Sequence, residues 1–485
     1  MWNMVNQFLV KVDDLVWGVP LMVLILAGGI LLTARLGLLQ MRRLPLALKW
    51  MFKNEEEGDG EISSFAALCT ALSATIGTGN IVGVATAVCA GGPGALFWMI
   101  VAAFFGMATK YAEGLLAVKY RVVAEDGHSL GGPFYYIERG MGAKWKWLAK
   151  IFAFFGVCVG LFGIGTFSQV NGISSAIQNF FDPNKTNCVT LPFLGTYSWA
   201  VVIASLILAF CVGAILIGGL KRIATVSQII VPFMAIAYIL VALFILFNHM
   251  TAIPALIGHI FSNAFGIEQV VGGGLGATIM QGVRRGLFSN EAGMGSAPNA
   301  AATATVSHPV KQGLIQALSV FTDTIVICSC TAFIILLSDL PLDGTLKGIQ
   351  LTQAAVGHEI GPFGAQFIAF CILLFAFSSI VGNYSYCETN LFFISRHPAG
   401  LQIYRIAVGG MVFFGSVAGL DIVWNLADLF MALMTLINLI ALIFLGHLAL
   451  KALKNYNDQK RRGIKSPVSK ASDIPEIEDQ LSEWK

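Results

Sequence analysis

The sequence predicts an all-α polytopic membrane protein of about eleven transmembrane helices: one N-terminal helix, then a five-plus-five inverted repeat with two broken helices. Three observations predict it. Of 485 residues, 56% are hydrophobic and only 12% charged, with a mean hydropathy of +0.76, a balance foreign to soluble domains. Apolar stretches of the roughly 20 residues needed to cross a bilayer recur along the chain. Two of them carry glycine-rich interruptions at corresponding places in two halves, a sequence pointer to a transporter site.

The stretches lie near 16–36, 65–88, 95–118, 149–180, 198–219, 223–247, 268–283, 313–337, 362–395, 402–419 and 422–450. The first follows acidic Asp13 and Asp14 and lacks a small-residue cleavage site, so it reads as a retained helix. The seventh is short and glycine-rich, as a broken helix would be. Setting the first aside leaves five and five, and an odd number per half forces opposite topology. The expected divisions are residues 1–60, with the extra helix and a loop, 61–250 and 251–450 as the two repeats, and 451–485 as a polar tail expected to be disordered.

Basic residues orient the chain. Arg35, Arg42, Arg43, Lys49, Lys53, Lys119, Arg121, Arg139, Lys144, Lys146, Lys150, Lys221, Arg222, Arg284, Arg285, Lys311, Arg396, Arg405 and the tail fall on one side of the alternating connections. Lys11, Lys185 and Lys347 fall on the other. This places the N-terminus outside and the tail in the cytoplasm of a bacterial or archaeal plasma membrane. The net charge of +3 is therefore sorted by topology and says nothing of nucleic acid. Nine scattered cysteines and seven histidines form no disulfide framework, metal-ligand spacing or HExxH array. No nucleophile–base constellation supports an intramembrane enzyme, which stays a remote alternative.

The first interruption is Ser73-Ala74-Thr75-Ile76-Gly77-Thr78-Gly79-Asn80. Glycine inside a helix costs roughly 1 kcal/mol against alanine, so Gly77 and Gly79 weaken it together. Unwound backbone within a membrane persists only where it is buried in protein or lines a polar cavity, and there its N–H groups hold anions and its carbonyls hold cations. Gly79 and Gly83 also stand at the spacing that packs helices closely, an alternative that the first copy alone leaves open. The second copy, Gly276-Ala277-Thr278-Ile279-Met280-Gln281-Gly282, predicts a matching break near Gln281 and Gly282. Asp323, inside an apolar span, is a candidate for proton coupling or gating because its burial is costly. Lys110 and Glu113, one turn apart, are expected to pair with each other. Glu291, close in sequence to Arg284 and Arg285, is expected to join them in a salt bridge of the inner gate.

The motifs Thr75-Ile76-Gly77-Thr78-Gly79-Asn80-Ile81, Gly91-Gly92-Pro93-Gly94-Ala95-Leu96-Phe97-Trp98-Met99 and Arg285-Gly286-Leu287-Phe288-Ser289-Asn290-Glu291-Ala292-Gly293 resemble the alanine/glycine–cation symporter family, over about residues 15–450. The resemblance implies a leucine-transporter-like fold, a small neutral amino acid as cargo, and sodium as co-transported ion with no other cofactor. It implies that backbone near Thr75, Gly77, Thr78 and Gly79 holds the substrate carboxylate, faced by Thr278, Gln281 and Gly282. It further implies sodium on the carbonyls of Ser73, Ile76 and Phe375 and the hydroxyls of Ser378 and Ser379. Asn80 would supply a second ion site or cap the broken helix. Gln169 is the candidate for the substrate amine, by resemblance and by its polarity at membrane depth, with interhelical hydrogen bonding as the alternative. The alternative function is a proton-coupled carrier of another small amino acid, such as serine or a D-amino acid.

Overall fold

A computed structural model describes residues 2–53, 60–124, 127–191, 195–266, 274–417 and 420–484. Helices dominate the described residues, with two short antiparallel hairpins, Val122–Val123 with Ser129–Leu130 and Cys188–Leu191 with Gly195–Ser198. Helix α1 (Trp2–Val16) bends by 40° into α2 (Val19–Arg35). Next come α3 (Ser64–Thr75) and α4 (Gly79–Gly91), bent by 51° across the first interruption. Ser63 starts α3 by accepting the Ala66 N–H at 3.1 Å, a side-chain cap on an otherwise orphaned donor. Then follow α5 (Gly94–Lys119), α6 (Lys146–Phe162), α7 (Phe167–Phe181), α8 (Trp199–Leu216) and α9 (Gly219–Asn248).

The second half repeats the order. The short α10 (Ile253–Ala264) leads to α11 (Leu275–Asn290) and α12 (Pro298–Ala302). After them run α13 (Pro309–Leu337), α14 (Ile349–Ile360), α15 (Pro362–Ile394), α16 (Pro398–Val417) and α17 (Leu420–Arg461). Among the described residues seven helices are long and apolar enough to span a membrane, or nine when each bent pair is one span. Helices α11, of 16 residues, and α16, of 20, occupy the other two expected stretches. The beginning of the seventh expected stretch, 268–273, lies outside the described residues.

Apolar side chains such as Phe210 (77% exposed) and Phe247 (73%) point outward from α8 and α9, while α3 and α4 are buried almost throughout. This is the inverse of a soluble fold: the outer surface suits lipid, and the polar groups gather at the centre.

Three expectations change. The apolar stretch 149–180 is two helices, parted at Gly163-Ile164-Gly165-Thr166, with Thr166 Oγ1 donating back to the Gly160 carbonyl. The second break lies elsewhere: α11 runs unbroken through Gln281 and Gly282, and the chain leaves the helix only after Asn290. Glu291, Gly293 and Gly295 then take φ values of 56°, 91° and 85°, a left-handed path that glycine follows without strain. Finally, the tail is folded. Ser469 N donates to Ser307 O at 2.9 Å, Trp484 Nε1 reaches Val118 O at 3.3 Å, and the Trp484 ring receives Lys119 and Arg121. Enough apolar and cationic surface at the ends of α5 and α12 meets the tail to order it.

Candidate functional site

The first interruption is held open by side chains from other helices. The extended backbone at Ile76 frees the carbonyls of Ala74 and Ile76. Asn383 Nδ2 donates to Ala74 O and Ser379 Oγ to Ile76 O, both at 3.2 Å. The freed N–H groups are met too: Gly77 N donates to Asn80 Oδ1 at 2.8 Å and Thr78 N to Gln169 Oε1 at 2.9 Å. Gln169 Nε2 in turn donates to Ile164 O at 2.9 Å, so one amide ties the first interruption to the parting between α6 and α7. A Cβ at Gly77 would stand 2.6 Å from Gln169 Oε1 and closer still to Ser379 Oγ, so any larger residue must displace both of the side chains that hold the interruption.

The first interruption meets the last turn of α11, just before the second interruption, at Gly79. A Cβ there would stand 3.0 Å from Ser289 Cα and 3.1 Å from Phe288 Cδ1. The second interruption is gripped from α5. Lys110 Nζ donates to Asn290 O at 2.7 Å, where a cation offsets the negative end of α11. Glu113 accepts Gly293 N at 3.2 Å and also bonds Asn438, which donates to Gly293 O at 2.9 Å. The expected Lys110–Glu113 pair is thus replaced by two separate clasps, one on each side of the turn.

Thr278, Gln281 and Gly282 lie away from this meeting point. A Cβ at Gly91 would touch Gln281 Cβ at 3.0 Å and Thr278 Cα at 3.3 Å, and one at Gly282 would meet Ala95 O at 2.6 Å. Their glycine–alanine pattern serves close packing of α11 on α4 and α5, the alternative use of small residues in membranes. Thr75 is buried and bonds its own helix, Oγ1 to Ala71 O at 3.2 Å, while the Thr78 hydroxyl is buried without a partner among the described residues.

Of the five residues expected around sodium, Ser379 and Ile76 are in direct contact. Ser378 donates to Phe375 O at 2.9 Å, one turn back on α15, and Ser73 donates to Thr70 O at 2.8 Å. Gly382 lets α15 approach this end of α3, its missing Cβ falling 2.7 Å from Ala74 N.

Beside Asn80 lies a second polar cluster. Asp323, fully buried in a π-helical turn of α13, accepts from Asn80 Nδ2, Ser289 Oγ and Thr324 Oγ1, each at 2.7 Å. Such turns are frequent at functional sites. The Asp323 carboxylate and the Ser289 and Thr324 hydroxyls supply the hard oxygens that an alkali cation takes.

The arginines stand on the opposite side of the break from the one expected. Arg284 and Arg285 precede it on α11, towards the end of the bundle marked by Gly94 and α10 and away from the tail. Arg285 holds Asp428 of α17 through both terminal nitrogens, at 3.0 and 2.9 Å. Arg284 reaches the same carboxylate at 2.5 Å and also bonds Asp13 of α1. Aromatic rings seal the cluster: the Trp424 and Phe288 ring centres lie 4.7 Å apart, their planes tilted by 33°, and the Arg285 guanidinium sits 4.9 Å from the Trp424 ring centre. Glu291 takes no part in it and bonds Ser296 across the turn. The sequence reading missed Asp428 and Asp13; the signal for Asp428 was an acid inside an apolar span, the same signal that singled out Asp323.

Comparison with known proteins places the chain. Residues 2–471 match the family described as the sodium:alanine symporter family. The amino-acid carrier protein AlsT of Bacillus subtilis is 46% identical over 468 residues, 96% of this chain and 95% of that one. The probable sodium/glutamine symporter GlnT of the same organism is 47% identical, covering 94% and 91%. The sodium/alanine symporter AgcS of Methanococcus maripaludis is 42% identical, covering 94% and 98%. Among solved structures, MhsT in complex with L-phenylalanine superposes with a TM-score of 0.53 at 14% identity, covering 88% of this chain and 94% of that one. At that identity the likeness concerns the fold, and the fold is the one the sequence predicts.

Proposed function

We propose a transport reaction for this chain from the premise that it belongs to the sodium:alanine symporter family. It moves alanine or glycine together with sodium, by alternating access about the point where the first interruption meets the last turn of α11. Residues 61–250 and 251–450 act as the two repeats, the tail lies in the cytoplasm, and the protein resides in the plasma membrane.

The observation that carries the choice of substrate is the contact at Gly79. The backbone of Ser289 and the ring of Phe288 stand against it, so a cargo held between the interruptions has little space for a side chain. Relatives named for alanine and for glutamine differ in the side chain they must house. The close approach favours the smaller. A zwitterion needs N–H donors for its carboxylate and oxygens for its ammonium group. Thr78 N and Gly77 N, now bonded to Gln169 and Asn80, would turn to the carboxylate, and the freed Gln169 Oε1 would turn to the ammonium group.

Sodium would sit between α3 and α15 on Ile76 O, Ser73 O, Phe375 O and the Ser378 and Ser379 hydroxyls. It would compete with the Ser379–Ile76 hydrogen bond and so couple its own binding to the shape of the first interruption. The Asn80–Asp323 cluster is the second ion site. Its carboxylate also supports a second reading, in which a proton on Asp323 replaces one sodium. The Arg285–Asp428 cluster closes the outer route, and a cavity of about 190 Å³ bounded by Val82, Asn171, Gly172 and Trp424 lies against that lid.

The test is uptake of labelled alanine into proteoliposomes. An inward sodium gradient should drive it, and replacement by potassium or choline should abolish it. Equal uptake without sodium rejects the coupling ion. Competition by L-alanine, D-alanine, glycine, serine and glutamine then fixes the cargo, and glutamine as the strongest competitor would reject the size argument.

A further inference from the structure

On the tail side of the bundle lies a cavity of about 680 Å³, lined by none of the residues proposed for the substrate or the ions. Four basic residues line it, Arg139, Lys146, Lys150 and Arg396, against two acids, Glu138 and Asp479. Glu138 is already taken by Lys146 at 2.6 Å. Arg139 donates to Ser482 Oγ at 3.1 Å and lies over the Tyr135 ring. Lys150 and Arg396 are exposed and have no carboxylate partner among the described residues. The cavity therefore presents uncompensated positive charge.

Its depth is marked by its own helix. Trp145 and Trp147 stack 6.3 Å apart at the start of α6, between and beside the two lysines. One turn further on, Ile151 and Phe154 are exposed apolar residues. Tryptophans gather at the headgroup level of a bilayer, with lipid-facing apolar side chains below them. The cavity thus opens where phospholipid phosphates lie. Its far wall is the folded tail, Asp479 to Ser482, held by the Tyr120–Gln480 hydrogen bond at 3.1 Å.

We propose that this cavity binds the phosphate of an anionic phospholipid headgroup, through Lys150 and Arg396, with the tail as its inner wall. A basic recess between helices at this depth is the arrangement that recognises such headgroups, and each cation near the surface strengthens the attraction. Asp479 opposes it, so the tail sets how tightly the phosphate is held.

The test is thermal unfolding of the full chain in detergent, titrated with phosphatidylglycerol, phosphatidylcholine or inorganic phosphate. Phosphatidylglycerol should stabilise the wild type and phosphatidylcholine should not. Lys150→Gln with Arg396→Gln should weaken the phosphatidylglycerol midpoint about tenfold or more, the loss expected of two cations. Lys221→Gln with Arg222→Gln, which removes the same charge from the first turn of α9, should leave it unchanged. Asp479→Asn should tighten it, a gain that damage to the fold cannot produce. Equal weakening by both double variants, equal stabilisation by phosphatidylcholine, or no tightening with Asp479→Asn would overturn the site. Stabilisation by inorganic phosphate with no further effect of the lipid would overturn the lipid as its source.

Discussion

Arg285 meets Asp428 with both terminal nitrogens, at 3.0 and 2.9 Å, and so binds α11, which leads into the second interruption, to α17. The pair is buried, with Arg284 crowded onto the same carboxylate. A planar fork holds both oxygens of a carboxylate at once, which an ammonium group does not. In the proposed cycle, in which this cluster closes the outer route, the grip would be released and remade at each turnover.

Arg285→Lys is therefore expected to slow alanine uptake about tenfold, the order of effect of losing one charge-assisted hydrogen bond. Equilibrium sodium binding should change little. Rate and binding measured on the same proteoliposome preparation check this, and an unchanged rate removes the cluster from the transport cycle. Asp428→Ala, which strands the buried Arg285 and leaves Arg284 with Asp13 alone, should instead destabilise the fold by about 3–5 kcal/mol.

Gly77→Ala puts a methyl group 2.6 Å from Gln169 Oε1, and Gly79→Leu drives a side chain into Phe288 and Ser289. Both variants should insert normally and lose uptake, Gly79→Leu completely. Expression level and size-exclusion profile separate a folding defect from a transport defect. A functional Gly79→Leu protein would place the substrate elsewhere.

Ser378→Ala with Ser379→Ala removes two neutral oxygens from the proposed sodium site and leaves the carbonyls. The sodium concentration for half-maximal uptake should rise about tenfold or more, by analogy with the loss of ligands from other hard-cation sites. Substrate recognition at saturating sodium should persist. An unaltered sodium dependence moves the ion away from α15.

Asp323→Asn keeps the shape of the cluster and removes its charge. If the cluster holds sodium, the sodium requirement rises and uptake does not acidify the lumen in either protein. If it carries a proton, wild-type uptake acidifies the lumen and the variant loses that signal. A pH-sensitive dye trapped inside the vesicles distinguishes the two.

Glu113→Ala removes the acceptor of Gly293 N and one of the acids near Lys110, which keeps Glu291 as its other acidic neighbour. Loss of about 1–3 kcal/mol is expected from the buried donors left without an acceptor, read as a lower unfolding temperature. Lys110→Met with Glu113→Gln should cost less than the sum of the separate changes, because both act on one turn. Strict additivity would mean that the two clasps work independently.

The sequence by itself determined the class of this protein. Its unbroken supply of apolar stretches leaves a bundle of membrane helices as the outcome, since only such helices satisfy their own backbone in lipid. It also located the first interruption, because Gly77 and Gly79 weaken the helix by themselves whatever surrounds them. The motifs from Thr75 to Ile81 and from Arg285 to Gly293 carried the family resemblance.

Tertiary structure decided the rest. The glycines of 276–286 look like those of 73–83, yet one set breaks a helix and the other packs it. What distinguishes them is remote: Ala95 and Trp98 press on Gly282, while Lys110 and Glu113 wait one turn apart for the backbone beyond Asn290. Likewise Arg284 and Arg285 found their acids 143 or more residues away in sequence, and Gln169 found its partner in the unwound backbone at Thr78. The tail found support on helix ends far from it in sequence. Buried polar groups must be satisfied, but local sequence does not say by whom; that choice belongs to the packing of the bundle.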